Sequence, residues 1–173
     1  MTSGMAQVFG ALARQNAYAN QILFQEASKL TLETLDATKS ASRESAYRLL
    51  VHLLTVEALY FRQIKGGNGR VIDKEATTSL DSVVAIAAQH GEEFLEYVTT
   101  LTDEELGRDT IFQFSNGARV HYPVWQLLTQ VLMHSAQHRG ELSILLSELG
   151  HPLPINDIII RFTEESGQPW PFK

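Results

Sequence analysis

The chain of 173 residues contains no cysteine, and this absence removes a class of chemistry. It excludes disulfides, thiolate metal ligands and a cysteine nucleophile, and leaves imidazole, carboxylate and hydroxyl groups for any reaction. No apolar run reaches the ~20 residues that a membrane-spanning helix needs, and the N-terminus lacks the basic and then apolar pattern of a signal peptide. The sequence therefore predicts a cytoplasmic protein without a membrane partner.

Basic residues are in the minority, with 14 Lys and Arg against 20 Asp and Glu and a formal charge of −6. Such a surface repels nucleic acid, so we expect no nucleic-acid partner. Apolar residues make up 44% of the chain and charged residues only 20%. This composition predicts one buried core and a single domain over residues 1–173.

Four long segments carry apolar residues at helical spacing, and no internal repeat is present. We expect a first helix over about Met5 to Leu30 and a second that runs from a cap at Ser42 to Ile64. A third carries its apolar stripe over residues 80–98, and a fourth begins with Pro123 and runs to Leu149. The pattern predicts an all-α, antiparallel four-helix bundle.

Between the third and fourth helices, residues 110–122 contain two short β-prone runs around Asn116 and Gly117. That residue pair is favoured in two-residue hairpin turns of type I′, so a small hairpin is expected just before the last long helix. Thr102 and Glu105 have the spacing of a capping box, which predicts a short extra helical turn. The apolar run 155–162 is too short for another long helix, and we expect it to pack back on the bundle.

Histidines lie on the apolar stripes of two helices. In the fourth helix the stripe consists of Leu127, Val131, His134, His138, Leu142, Leu145 and Leu149. Since His134 and His138 are four residues apart, their imidazoles lie on one face and can converge on one ion. In the second helix His52 shares the face of Leu49 and Val56, so a third imidazole is also predicted to point inward.

Two interpretations of these three histidines are open. An inward histidine is more often a hydrogen-bonded core residue than a ligand, and the spacing alone does not separate the two. Three imidazoles without an obvious buried carboxylate would be costly in a dry core, whereas one metal ion would satisfy all three. Such a site suits Zn²⁺, Ni²⁺, Fe²⁺ or Co²⁺ and leaves positions open for water or substrate, as in catalytic sites.

Other titratable residues are weaker candidates. We expect His90 and His151 to be solvated or locally bonded, while His121 in the hairpin could reach the mouth of the site. Glu57, five residues after His52, could support an imidazole or be an ordinary carboxylate on the flank of the bundle. For Glu141, which could bond an imidazole of the neighbouring turn, we favour a surface salt bridge.

The segment from Trp125 to Leu142 resembles the last-helix signature of the DinB-like superfamily, a histidine, three residues and then His-Arg-Gly-Gln. The stretch from Leu50 to Glu57 is similar to its companion motif, a histidine followed five residues later by glutamate. The order of helices and hairpin also agrees over nearly the whole chain. Two positions depart from the pattern: Gln130 stands where many relatives have a further histidine, and Glu141 replaces the usual glutamine.

This resemblance implies an antiparallel bundle, often a homodimer, that binds a divalent metal ion through His52, His134 and His138. It does not imply DNA polymerase activity. Characterised relatives include transferases and an isomerase that use low-molecular-weight thiols such as mycothiol or bacillithiol. The resemblance thus favours a metal-dependent thiol S-transferase with a small-molecule substrate; a metal-dependent hydrolase and a non-catalytic, metal-stabilised stress or interaction protein are the alternatives.

Overall fold

The protein is described by a computed structural model over residues 4–67, 71–72, 77–169 and 171. Four long helices form the body, namely α1 (Met5–Ala27), α3 (Ala46–Ile64), α4 (Leu80–Thr100) and α6 (Val124–Glu148). Short helices α2 (Leu32–Ala37), α5 (Asp103–Gly107) and α7 (Ile158–Glu165) accompany them, and strands β1 (Asp109–Gln113) and β2 (Arg119–Pro123) form an antiparallel hairpin. The predicted helical bundle with a hairpin before the last long helix is confirmed.

The long helices bury their apolar faces in two separate clusters. The first lies near the hairpin and includes Phe61, Phe94 and Leu128, while the second includes Leu23 and Leu50. Helix α1 packs against α4 and α6, and α3 packs against α6. Buried polar side chains from all four long helices lie between the two clusters in sequence, and we call them the polar layer: Asn16, Asn20, Glu57, His90, Ser135 and His138.

The starts of two helices differ from those expected. Helix α3 begins after Ser45, whose hydroxyl accepts a hydrogen bond from the backbone N–H of Arg48, and not after Ser42. Pro123 precedes α6 in an extended conformation instead of forming its first turn. The capping box of Thr102 at the start of α5 is present as predicted.

Two short helices lie outside the four predicted long ones. Helix α2 is capped by Thr31 and buries Leu35 completely, which explains why a segment with little apolar periodicity is ordered. Helix α7 lies against α1, where the Arg161 guanidinium stands 4.9 Å from the centre of the Tyr18 ring. None of the helices in the described ranges combines the length and apolarity needed to cross a bilayer.

The sequence suggested a hairpin turn of type I′, but the turn in the structure is of another type. Type I′ requires positive φ at both central residues, yet among the described residues only glycines have positive φ, and here that residue is Gly117 with φ of 85°. The Gly117 N–H donates to the carbonyl of Phe114 at 2.9 Å, and the Asn116 side chain accepts from the N–H of Ala118 at 3.0 Å. The loop is therefore one residue longer, with glycine alone in the left-handed region.

Candidate metal centre

The three histidines predicted to share a site come together where α3 packs against α6. One ring nitrogen from each of His52, His134 and His138 lies within 4.8 Å of the others. The ring centres of His134 and His138 are 4.4 Å apart, and each is 5.0 Å from the ring centre of His52. In the described part of the chain this is the one group of side chains that could hold a metal ion.

The spacing of the ring nitrogens fits a divalent ion. The Nε2 atoms of His52 and His134 face each other at 3.1 Å. With metal–nitrogen bonds of about 2.0–2.1 Å, two ligands of a tetrahedral site are separated by about 3.3–3.4 Å. Two imidazole lone pairs that face each other repel unless one nitrogen carries a proton or a cation binds both. The donor set, nitrogen without thiolate, suits zinc and neighbouring transition metals.

The charges of two carboxylates act on two of the imidazoles. The buried Nδ1 atoms of His134 and His138 have no hydrogen-bond partner in the parts of the chain that the structure describes. Glu141 Oε2 is 4.0 Å from Nδ1 of His138, and the charge of Glu57 acts on His134. Metal-bound histidines usually donate their second N–H to a carboxylate. The Glu141 carboxylate lies near Nδ1 of His138 but beyond hydrogen-bond distance, so this contact is not formed in the structure.

All three imidazoles are held in the neutral form that binds metal. Burial, the Arg43 guanidinium and the two neighbouring imidazoles lower the pKa of His52 to about 4. Burial also lowers the pKa of His134 and of His138, and it outweighs the opposing effect of Glu57 on the first and of Glu141 on the second. At neutral pH the ring nitrogens therefore keep their lone pairs.

Glu57 is the centre of the polar layer and not a flank carboxylate. Its side chain is 3% exposed and accepts hydrogen bonds from the Nδ2 atoms of Asn16 at 2.8 Å and Asn20 at 2.9 Å. The hydroxyl of Ser135 donates to it at 2.5 Å. Because Ser135 follows His134 directly in α6, Glu57 ties the ligand-bearing turn of that helix to α1.

Arg139, the residue after His138, supplies the positive charge for this layer. Its Nη1 donates to the Oδ1 atoms of Asn16 at 2.5 Å and Asn20 at 2.8 Å. Each asparagine therefore accepts from the guanidinium at one end of its amide and donates to Glu57 at the other. Burial lowers the pKa of Arg139, and the charge of Glu57 opposes this effect. The two amides bridge the buried carboxylate of Glu57 and the partly buried guanidinium of Arg139.

The remaining histidines lie outside the three-histidine cluster. His90 was expected to be solvated or locally bonded; at 1% exposure it is not solvated, and its Nε2 lies 3.8 Å from Glu57 Oε2 of α3. His121 is exposed and its Nδ1 is 2.6 Å from Asp109 within the hairpin. His151 was expected to be solvated or locally bonded; it is half-buried, and its Nδ1 lies 3.7 Å from Glu26 Oε2 of α1, a neighbour distant in sequence.

Glu141 anchors a loop instead of forming the surface salt bridge that we expected. Its carboxylate accepts from the Ser40 hydroxyl at 2.6 Å, from the Ser42 backbone N–H at 3.1 Å and from the Ser42 hydroxyl. Burial alone would raise the pKa of Glu141, but these hydrogen bonds outweigh it and lower the pKa to about 2. Glu141 thereby holds the segment before α3 against the last helix, beside His138.

A cavity of about 960 Å³ lies beside the cluster, and of the three imidazoles His52 forms part of its wall. Arg43, Tyr47, Arg48 and Thr55 are among its other lining residues. The Arg43 guanidinium contacts the His52 ring directly, with Nη2 2.8 Å from Nε2. A small molecule in this cavity would therefore contact His52 and Arg43 together.

Sequence reasoning missed three residues of the polar layer, Asn16, Asn20 and Ser135, and the counter-ion Arg139. A signal for the two asparagines was present, because they continue the buried spacing of Phe9 and Ala13 along α1. Polar residues on an otherwise apolar stripe indicate a buried hydrogen-bonded group. Nothing in the sequence paired them with Glu57, which is 41 residues from Asn16.

Residues 5–168 match the sequence model of the DinB family. An uncharacterized protein of Bacillus subtilis (strain 168), YjoA, is 25% identical over 126 residues, which cover 72% of this chain and 80% of that protein. The crystal structure of YjoA, described as a DinB-like protein, superposes with a TM-score of 0.63 at 21% identity, over 84% of this chain and 97% of the other. This structural likeness shows a shared fold.

Proposed function

Since the chain belongs to the DinB family, we propose that it is a divalent-metal-dependent enzyme of the thiol S-transferase class. Its metal would be Zn²⁺, Ni²⁺, Fe²⁺ or Co²⁺ on His52, His134 and His138, and its co-substrate a low-molecular-weight thiol of the mycothiol or bacillithiol type. One observation carries the proposal: an imidazole of the cluster forms part of the wall of a cavity of about 960 Å³, which small molecules can enter.

The ion would supply a Lewis-acid centre that lowers the pKa of a thiol near it. The chain provides neutral imidazoles to hold the ion. The polar layer holds α6 in place, and α6 carries two of the three imidazoles. In the transfer, the sulfur electron pair forms a bond to the electrophilic carbon, the leaving group departs with the electrons of its bond, and the thiol proton passes to solvent. The cavity wall orients the two reactants.

A transferase is favoured over a hydrolase by the state of the nearby carboxylates. Hydrolysis needs a general base within hydrogen-bond reach of the attacking water. Glu57 and Glu141, the carboxylates near the imidazoles, are already the acceptors of several hydrogen bonds each. Transfer of a thiol whose proton leaves to solvent makes no such demand.

Purification without a nickel column, followed by elemental analysis, tests the metal. Conjugation of mycothiol, bacillithiol or glutathione to monochlorobimane, with and without a chelator, tests the reaction. We expect a stoichiometric transition metal, and a thiol-dependent rate that is lost on chelation and in His134→Ala. The variant His121→Ala is the matched control, because His121 lies in the exposed hairpin outside the cluster, and it should keep both metal and rate.

Three results would count against the proposal in different ways. Full metal content in His134→Ala would overturn the ligand assignment. A stoichiometric metal without conjugation of any biological thiol would overturn the transferase and leave a non-catalytic, metal-stabilised protein. Metal-dependent hydrolysis in a screen of esters and amides, without thiol conjugation, would establish the hydrolase instead.

A further inference from the structure

Arg43 lies at the boundary between the cavity and the imidazole cluster. Its Nη2 is 2.8 Å from Nε2 and 3.2 Å from Nδ1 of His52. The residue precedes α3 in the segment that Glu141 holds through Ser40 and Ser42. A fixed backbone therefore places a permanent positive charge beside the imidazoles.

No carboxylate pairs with this charge in the described parts of the chain. Among the described residues, the other hydrogen bond of the guanidinium is to the carbonyl of Ser42, to which Nη1 donates at 2.9 Å. Arg48, which lines the same cavity, differs, because its Nε is 2.9 Å from a carboxylate oxygen of Glu44. Of the two cavity arginines, Arg43 is thus the one that can receive an anion without first losing an ion pair.

A metal ion on His52 would change the electrostatic surroundings of Arg43. The ion would take a lone pair of the His52 ring, so the guanidinium would lose an acceptor and stand next to a second cation. An anion that contacts both the guanidinium and the ion removes this repulsion. The planar fork of arginine matches the two oxygens of a carboxylate.

We propose that Arg43 binds a carboxylate of the small-molecule substrate in this cavity, and that this anion and the metal ion bind cooperatively. The inference rests on the proposed metal site and adds to it the charge of the substrate. Cooperativity is reciprocal, so it can be measured as an effect of a simple carboxylate on the affinity for Zn²⁺ alone.

The test measures the Zn²⁺ affinity of the metal-free protein by competition with a chromophoric chelator, in acetate or in the neutral isostere acetamide at equal ionic strength. We expect acetate to raise the affinity of the wild type about tenfold, within the usual range of coupling between two sites. In Arg43→Gln most of this gain should disappear. In Arg48→Gln, which removes a cavity charge already paired with Glu44, it should remain.

Equal acetate effects in the wild type and Arg43→Gln would overturn the inference, as would equal losses in the two arginine variants, since the second result would indicate a general positive field. Zinc binding without any acetate effect would overturn the role of Arg43 and leave the metal site intact. Absence of zinc binding in the wild type would overturn both. Circular dichroism melting of each variant identifies any loss of folding.

Discussion

Replacement of Glu57 by glutamine tests whether the polar layer is a bridged ion pair. Glu57→Gln keeps one carbonyl oxygen and the shape of the side chain but removes the negative charge. The new amide nitrogen would occupy the position of one carboxylate oxygen. If it replaces Oε2, which accepts from Asn20 Nδ2 at 3.0 Å, a donor would face a donor.

The cost follows from what remains buried. Arg139 would keep its hydrogen bonds to Asn16 and Asn20 but lose its counter-charge. Removal of one partner of a buried pair costs about 3–5 kcal/mol. Since the two asparagines separate the charges and Arg139 is partly exposed, we expect a loss of about 2–4 kcal/mol, within a total stability of about 5–15 kcal/mol.

Urea unfolding of the metal-free protein, in a double-mutant cycle of Glu57→Gln and Arg139→Gln, measures the coupling. The double variant should be more stable than the sum of the single losses predicts, by about 1–2 kcal/mol, because it leaves no unpaired charge. Arg14→Gln is the matched control: Arg14 also lies on the bundle but contacts Glu165, 3.8 Å away, and its effect should add to that of Glu57→Gln. Additivity within about 0.5 kcal/mol for Glu57 and Arg139 would refute the bridged pair.

Three further predictions concern the imidazoles and the loop beside them. Zinc at a hundredfold excess over its Kd should stabilise the wild type by about 2.7 kcal/mol, which corresponds to a Tm rise of roughly 5–10 °C in differential scanning fluorimetry. This rise should vanish in His134→Ala but not in His121→Ala. The metal-free protein should lose stability as pH falls from 6.5 towards 4, because His52 takes up a proton near pH 6.5 in the unfolded protein but only near its pKa of about 4 in the folded protein. Urea unfolding at several pH values should show a smaller dependence of the unfolding free energy on pH in His52→Gln. Glu141→Gln should speed hydrogen exchange of the Ser42 amide, and the stability that this carboxylate provides should be fully present above its unfolded pKa of 4.5 and be lost as pH falls towards about 2.

Periodicity was enough to predict the four long helices and the inward direction of the three histidines. It was not enough to choose among serines before α3. Any of three serines, Ser40, Ser42 and Ser45, could cap the helix with its hydroxyl. The first two are bound by Glu141, which lies 101 and 99 residues further along the chain. Ser45 is left as the cap of α3 through a contact that the local sequence does not contain.

The same limit applies to Glu57 and His90. From helical spacing, Glu57 could be either a support for an imidazole or a carboxylate on the flank of the bundle, and His90 was expected to be solvated or locally bonded. The buried carboxylate of Glu57 is satisfied by Asn16 and Ser135, which are 41 and 78 residues away from it. Local sequence predicts the face of a helix, whereas the pairing of polar groups across three helices requires the fold. Homodimer formation and the cytoplasmic location stay predictions, since a single chain tests neither.

Burial of the polar layer costs desolvation free energy that an apolar layer would avoid. Well-packed apolar residues in place of a buried ion pair are often neutral or stabilising. Here the layer adjoins the imidazoles in sequence and space, since Ser135 follows His134 and Arg139 follows His138. We therefore expect its role to be the positioning of metal ligands rather than stability.

Ser135→Ala against Leu50→Ala separates these roles. Both side chains are fully buried, but Leu50 belongs to an apolar cluster and Ser135 donates to Glu57. Leu50→Ala should cost about 2–5 kcal/mol of stability with little change in zinc affinity. Ser135→Ala should cost less stability, about 1.5–3 kcal/mol, yet weaken zinc binding about tenfold, at the lower end of the effect of residues that orient metal ligands. Zinc affinities that follow stability in both variants would show that the layer is only part of the scaffold.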